Sequence, residues 1–317
     1  MIGFGFFPQD VPSALDQIQR AERAGVECAW MVMHPFGWDT PTVAAAALAR
    51  TEHIQVGTSI VPMYTRHPLA LATQAAALAA VAPGRFRLGV GTGNLGVMAE
   101  GYGTPVTQPV ARTREYLHVL RSVLTEGTIR HAGTFYDVDA SLLAGQAAAS
   151  TPLILAAIGP RLLTVAGELA DAAMSWTCPP AYLDEVARPA IAKGAAAAGR
   201  PAPPLVTQVT AVVTSDATTA RHVARPMLRT FGINPQYRAM YARAGLPVAE
   251  DGTPSDALID ATVVHGNEAG LTDRLGQLAE SQDELLVTLQ STTDTPHARQ
   301  EEEEVLFRAI THATGQH

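Results

Sequence analysis

Thiols, lysines, aromatic rings and long apolar runs are all scarce in this chain. Its two cysteines, Cys28 and Cys178, stand far apart with no C-x-x-C pairing, so neither a disulfide framework nor a thiolate metal site is expected. No H-E-x-x-H and no cluster of Cys and His occurs, which argues against any metal site. A G-x-S-x-G elbow is also missing, so a hydrolase has no support. No stretch of about eighteen uninterrupted apolar residues exists, so nothing is expected to span a membrane. The opening MIGFGFFPQD has neither a charged leader nor a long apolar run, and a cytoplasmic location is expected. Of 22 basic residues only Lys193 is a lysine, and 30 acidic residues leave a formal net charge of −8. That balance argues against a nucleic-acid partner, whose phosphates demand basic patches.

What is present is an ordinary globular composition, 317 residues of which 47% are hydrophobic, with ample material for a large core. Short β-branched runs alternate with alanine-rich segments of helical period. Strands are expected at 2–7, 27–32, 54–61, 85–91, 152–157, 171–176, 205–214 and 283–289. Helices are expected at 12–24, 40–50, 68–82, 112–125, 162–169, 181–198, 217–231, 271–281 and 297–313. Alternating βα units imply a parallel sheet. Eight of them favour an α/β fold of the closed (β/α)₈ TIM barrel type over a doubly wound sheet. The chain 1–317 reads as a single barrel domain. It carries insertions at 93–150 and 232–262, after the fourth and seventh strands. The second, with Tyr237 and Tyr241 on one helix face, could be a lid, a subunit contact or a structural element. The run Glu301–Glu304 reads as a solvated first helical turn, where acids suit the dipole.

Residues 88–96, LGVGTGNLG, contain G-x-G-x-x-G after a strand. A dinucleotide fold would need a helix opening at once and an acidic residue at the end of the next strand. Gly101, Gly103 and Pro105 preclude a long helix here, and Glu115 lies in a helical segment. Glycines packing a barrel rim are a second reading. A third is an anion nest of backbone N–H groups, at the strand end where barrel active sites lie. A matching nest follows the fifth strand at AAIGPR, 156–161. There Gly159 frees the backbone, Pro160 suits a first helical position, and the helix N-terminus offers donors.

At GTSIVPMYTRHPLALATQAAALAAVAPGRFRLGVGTG (57–93) and PLILAAIGPRLLTVAGELADAAMSW (152–176) the chain resembles the luciferase-like monooxygenase superfamily, and within it the enzymes using the deazaflavin coenzyme F420. The resemblance extends over essentially the whole chain. It implies a barrel, usually a homodimer, that holds F420 or FMN at its C-terminal mouth and acts on a small-molecule substrate. It also implies a non-prolyl cis peptide at Ser59–Ile60 behind the cofactor's central ring. Cofactor contacts are implied at Thr92, Gly93 and Asn94 and at Ala157, Ile158 and Gly159.

His34 and Trp38 match an active-site His and Trp of the F420-dependent glucose-6-phosphate dehydrogenases. His34 is thereby a candidate for cofactor contact and proton exchange, or a mere hydrogen-bonding group. Trp38 offers a flat wall with one donor. Tyr64 is a further candidate proton donor. Two departures stand out: Met33 and Asn94 occupy positions where those dehydrogenases carry carboxylates, which argues against sugar-phosphate oxidation. Met33, Met63, Tyr64, Phe36, Trp38 and Trp176 suggest instead an apolar mouth, or core packing. The function expected is an F420-dependent oxidoreductase whose reduced cofactor delivers hydride to a C=C or C=N bond. TSIV favours F420 over the alternative, an FMN-dependent monooxygenase. A flavin-binding barrel without turnover is the alternative of another class.

Overall fold

The computed structural model describes residues 1–142 and 151–315. The end of the first expected insertion, 143–150, lies outside them. Twelve strands follow in order: β1 (Ile2–Phe6), β2 (Cys28–Met31), β3 (Gln55–Thr58), β4 (Val61–Pro62), β5 (Phe86–Gly91), β6 (Thr128–Ala132), β7 (Asp137–Ser141), β8 (Leu153–Ala156), β9 (Ala172–Ser175), β10 (Leu205–Val213), β11 (Val263–Gly266) and β12 (Glu284–Leu289). Eight close on themselves in parallel, in the order β1, β2, β3, β5, β8, β9, β10, β12 and back to β1. All eight expected strands lie within a residue or so of their expected ends, except the third. It stops at Thr58 and resumes as β4.

The strands are apolar on both faces because each has a core on either side. Outward residues meet the ring of helices. Inward residues form a separate interior cluster of Cys28, Trp30, Ile154, Ala172, Met174, Val206 and Leu286. Trp30 fills the barrel axis, and the wall is thinned to admit it. A methyl group on Gly57 would lie 2.2 Å from the indole, and one on Gly3 2.9 Å from its nitrogen. Below the indole, 4.6 Å from its centroid, sits the Arg87 guanidinium. Arg87 is paired in two parallel bonds of 2.5 and 2.8 Å with Glu284. A buried pair of this kind survives desolvation because both forks are satisfied.

The first insertion holds a short helix, Leu95–Gly101, a long one, Pro109–Glu126, and the antiparallel hairpin β6–β7. The second holds helices Pro235–Arg243 and Asp256–Thr262, then β11, which sequence reading missed. β10 is the longest strand. Its first residues pair with β9, but it rises past the end of that strand, and β11 takes its upper edge at Thr210–Val213.

The acidic run corrects one expectation. The last helix begins at Pro296, so Glu301–Glu304 lie well inside it. Glu303 is buried and accepts from Arg20 at 2.5 Å and Gln17 at 2.6 Å. Glu302 takes the Ser291 hydroxyl at 2.5 Å and the Thr292 N–H at 3.1 Å. These carboxylates pin the last helix to helix Val11–Arg23 and to the loop after β12, rather than facing solvent.

Candidate active site

The C-terminal ends of the barrel strands form the mouth, and the interior stack ends there in Ile60, Ala156 and Trp176. The Ser59–Ile60 peptide is cis, at the bond the resemblance implied. The pairing around it shows how the bulge is built. Gly57 pairs with Arg87, yet Val61 pairs with Val90, so β3–β4 carries one more residue than β5 over this interval. The gap in the ladder is closed by Thr58. Its buried hydroxyl donates to the Gly89 carbonyl at 2.9 Å and accepts the Gly89 N–H at 3.0 Å. β5 can come this close only because residue 89 has no side chain: a Cβ there would lie 2.0 Å from the Thr58 carbonyl oxygen. Sequence reasoning missed both Thr58 and Gly89. Ser59 is buried, its hydroxyl 3.2 Å from Met174 Sδ.

β5 and β8 are neighbours in the wall, so the two glycine turns stand side by side, as the nest reading requires. They are not equivalent. Gly93 has φ +63°, a left-handed conformation cheap only for glycine. Asn94 then caps the helix Leu95–Gly101, accepting from the Gly96 and Val97 N–H groups. The Thr92 hydroxyl lies 3.2 Å from the Gly93 carbonyl. This turn satisfies much of itself. After β8, the Ala157 N–H bonds the Met174 carbonyl at 2.9 Å, and the Ile158 carbonyl accepts the Tyr182 hydroxyl at 2.6 Å. Gly159 then caps helix Pro160–Leu169 with no side-chain acceptor, leaving first-turn donors available for an anion. Its φ of −84° is open to any residue, so the expectation that this glycine frees the backbone is corrected. What its missing side chain leaves is space: nothing lies within 4 Å of a Cβ placed there. Arg161, next in that helix, is exposed and without a partner among the described residues.

The β2 loop reaches over to the segment after β5. His34 is exposed and its imidazole has no partner among the described residues. Trp38 donates its indole N–H to the Gln9 carbonyl at 3.0 Å. Phe36 stacks on Tyr102 at 5.3 Å and covers Gly101, where a Cβ would meet its ring at 2.3 Å. Tyr64 stands apart from these groups. It is buried, its hydroxyl has no partner among the described residues, and Arg112 lies 4.9 Å over its ring. Burial raises its phenol above the ordinary value and Arg112 only partly offsets this. In the second insertion, Tyr241 is buried and shares a 2.7 Å hydrogen bond with Thr177. Tyr237 packs against it at 6.2 Å, so this pair anchors the insertion to the end of β9.

A closed (β/α)₈ wall with glycine turns, an uncapped helix N-terminus and a free imidazole at one end is the layout of a barrel enzyme with its reaction face at the C-terminal mouth. The chain belongs to the luciferase-like monooxygenase family, whose sequence profile matches residues 7–284, and is an oxidoreductase. It is similar to the 5,10-methylenetetrahydromethanopterin reductase of Methanolobus tindarius, 25% identical over 88% of this chain and 90% of that protein. The reductase of the same name from Methanopyrus kandleri is 30% identical over 62% of this chain and 61% of its own length. The F420-dependent glucose-6-phosphate dehydrogenase of Nocardia farcinica is 34% identical over 49% of this chain and 48% of its own. Among solved structures, an F420-dependent secondary alcohol dehydrogenase superposes with TM-score 0.80 at 19% identity, over 98% of both chains. The described helices include none long and apolar enough to cross a membrane.

Proposed function

We propose that this protein is an F420-dependent oxidoreductase that reduces a C=C or C=N bond of a small organic substrate. One observation carries the reading: two neighbouring strand ends offer complementary halves of a seat for a phosphate-bearing flavin-type cofactor. One half is the uncapped helix at Gly159 with the free Arg161. The other is the turn Thr92–Gly93–Asn94, with Ile60 of the bulge on the floor between them. The open space at Gly159 and the unspent donors fit such a group. When bound, the reduced deazaflavin supplies a hydride. The chain's own residues do the rest: Ser59 and Ile60 shape the floor, Ala157, Ile158 and Gly159 hold the phosphate side, and Trp38 walls the rim. His34, free and exposed at the rim, holds the proton the substrate takes up. Tyr64 in its buried place is a weaker candidate for that part. The resemblance further carries a homodimeric, cytoplasmic enzyme.

Titration of the purified protein with F420 and, separately, FMN, followed by fluorescence, tests the proposal. Micromolar F420 binding with much weaker FMN binding is expected. Tight FMN binding would replace the proposal with a flavin monooxygenase. Binding of neither would return the glycines to wall packing.

A further inference from the structure

Phe7 follows β1 and Trp176 follows β9, with β12 and β10 between them along the wall. Their rings nevertheless meet edge to face, 6.4 Å apart and at 88°. The pair bridges the β10–β12 sector of the mouth and borders the cofactor seat on the Trp176 side, where β9 pairs with β8. Phe7 is 47% exposed. Trp38 is bound to the same stretch of chain through the Gln9 carbonyl, and Gln9 reaches the Phe7 carbonyl at 3.4 Å. Two polar handles of the rim aromatics are spent on backbone, the Trp38 N–H on Gln9 and the Tyr102 hydroxyl on the Pro35 carbonyl at 3.3 Å. The Trp176 indole N–H is the one donor of the pair and makes no hydrogen bond among the described residues. Apart from that donor, what these side chains present outward is ring surface.

The strand-end segments that flank the pair, 7–10, 176–180, 214–216 and 290–295, carry no lysine, arginine or histidine, and the arginines of the β4–β5 side are spent. Arg66 is held by Asp39 at 2.6 Å and Gln74 at 2.8 Å. Arg112 is held by the Pro105 carbonyl at 3.1 Å and lies over Tyr64. Two arginines whose side chains make no hydrogen bond or ion pair among the described residues lie on the other side. Arg161 is in the cofactor-side helix. Arg243 ends helix Pro235–Arg243, which packs on residues 180–182 beside Ile158. On the short helix, Glu100 is exposed with no partner among the described residues, and it would repel an anion. A substrate carboxylate or phosphate on the aromatic side would therefore be desolvated with no countercharge.

We infer that the substrate is a neutral, planar, largely apolar molecule whose ring packs against Phe7 and Trp176. The inference rests on the oxidoreductase proposed above and names its substrate class. Edge and face contacts to such a ring add affinity beyond plain burial, while an anionic group on the same frame loses it.

The test uses the full chain, titrated calorimetrically with 3-phenylcyclohex-2-enone and with its ring-carboxylated analogue, both alone and with oxidised F420 present. The neutral enone is expected to bind about tenfold or more tightly than the carboxylate. Phe7→Ala, at an exposed position, and Trp176→Leu, checked for folding by circular dichroism, are each expected to weaken the neutral ligand about fivefold or more. F420 affinity should stay unchanged in Phe7→Ala. Equal or tighter binding of the carboxylate, or unchanged enone affinity in Phe7→Ala, would overturn the inference. So would a changed sedimentation coefficient of Phe7→Ala with unchanged enone affinity, which would assign the rings to a contact between two copies. Enone discrimination without F420 binding would sink the cofactor reading and keep the substrate class; F420 binding without discrimination would do the reverse.

Discussion

The Thr58 hydroxyl and the Gly89 peptide hold each other twice, the oxygen taking the Gly89 N–H and returning a hydrogen bond to its carbonyl. This one side chain replaces the backbone ladder where β3 gives up an extended course. Thr58→Val keeps the shape and removes both bonds. Two buried backbone groups left unsatisfied should cost about 2–4 kcal/mol, read as a fall in the urea midpoint. F420 binding should weaken too, because the floor of the seat loses its support. Thr58→Ser should recover most of both.

Gly57 and Trp30 share one volume. Gly57→Ala should destabilise by about 1–3 kcal/mol through overpacking, since its methyl group falls inside the indole. Combined with Trp30→Leu, the same substitution should cost far less than the sum of the two single changes, a coupling that a double-mutant cycle measures directly.

Glu284→Ala strands the Arg87 guanidinium in the barrel base and should cost about 3–5 kcal/mol. The double replacement Arg87→Met with Glu284→Leu should recover much of that loss. Thermal unfolding of the three variants separates a pair that stabilises from one that merely must not be broken.

Glu22 links folding to acid. Burial pushes its carboxyl up, but the N–H groups of His53, Ile54 and Glu52 outweigh this and hold it below the ordinary 4.5. They sit 2.7, 3.1 and 2.8 Å from Oε1. With the folded value depressed, the contribution is fully present above the unfolded value and is lost as pH falls through the folded one. Glu22→Gln should be less stable than the parent at neutral pH and lose less on acidification below 4.5. Denaturant melts at several pH values give the two slopes.

Both thiols are buried, and burial pushes each up to about 12. As thiolate is the reactive form, a thiol reagent should find neither Cys28 nor Cys178 in the native protein. Both should react in denaturant. A fast-reacting native thiol would show that the barrel base or the β9 loop opens.

The eight-strand wall was legible because its strands are short, β-branched and bounded by glycine, and because helices of clear period separate them. Two parts of the candidate site were legible, the paired glycine turns from their own residues and the Ser59–Ile60 bulge through resemblance. Others could not be read because their partners lie far apart in sequence. Nothing local marks Thr58 as the side chain that mends the ladder at Gly89. Likewise, Phe7 belongs to a strand repeat and gives no sign that it will reach Trp176. Arg87 and Glu284 look like strand-end charges until the closed wall brings them together. β11 was missed because VVHG is short and follows directly on a helix, so no periodicity declares it. The acidic run reads as solvated because nothing local shows its partners: Arg20 and Gln17 lie far away in the chain.

β10 outgrows β9 and takes β11 as its upper neighbour, whereas β2, β3 and β8 stop after four residues each. At about 3.3 Å per residue, one flank of the barrel stands well above the other. The cup is tilted, like a chair with a high back and an open front. The β10–β11 flank thus carries more ordered wall than the β2–β3 flank. Lengthening or trimming that back should alter what the protein admits without disturbing the base on which it stands.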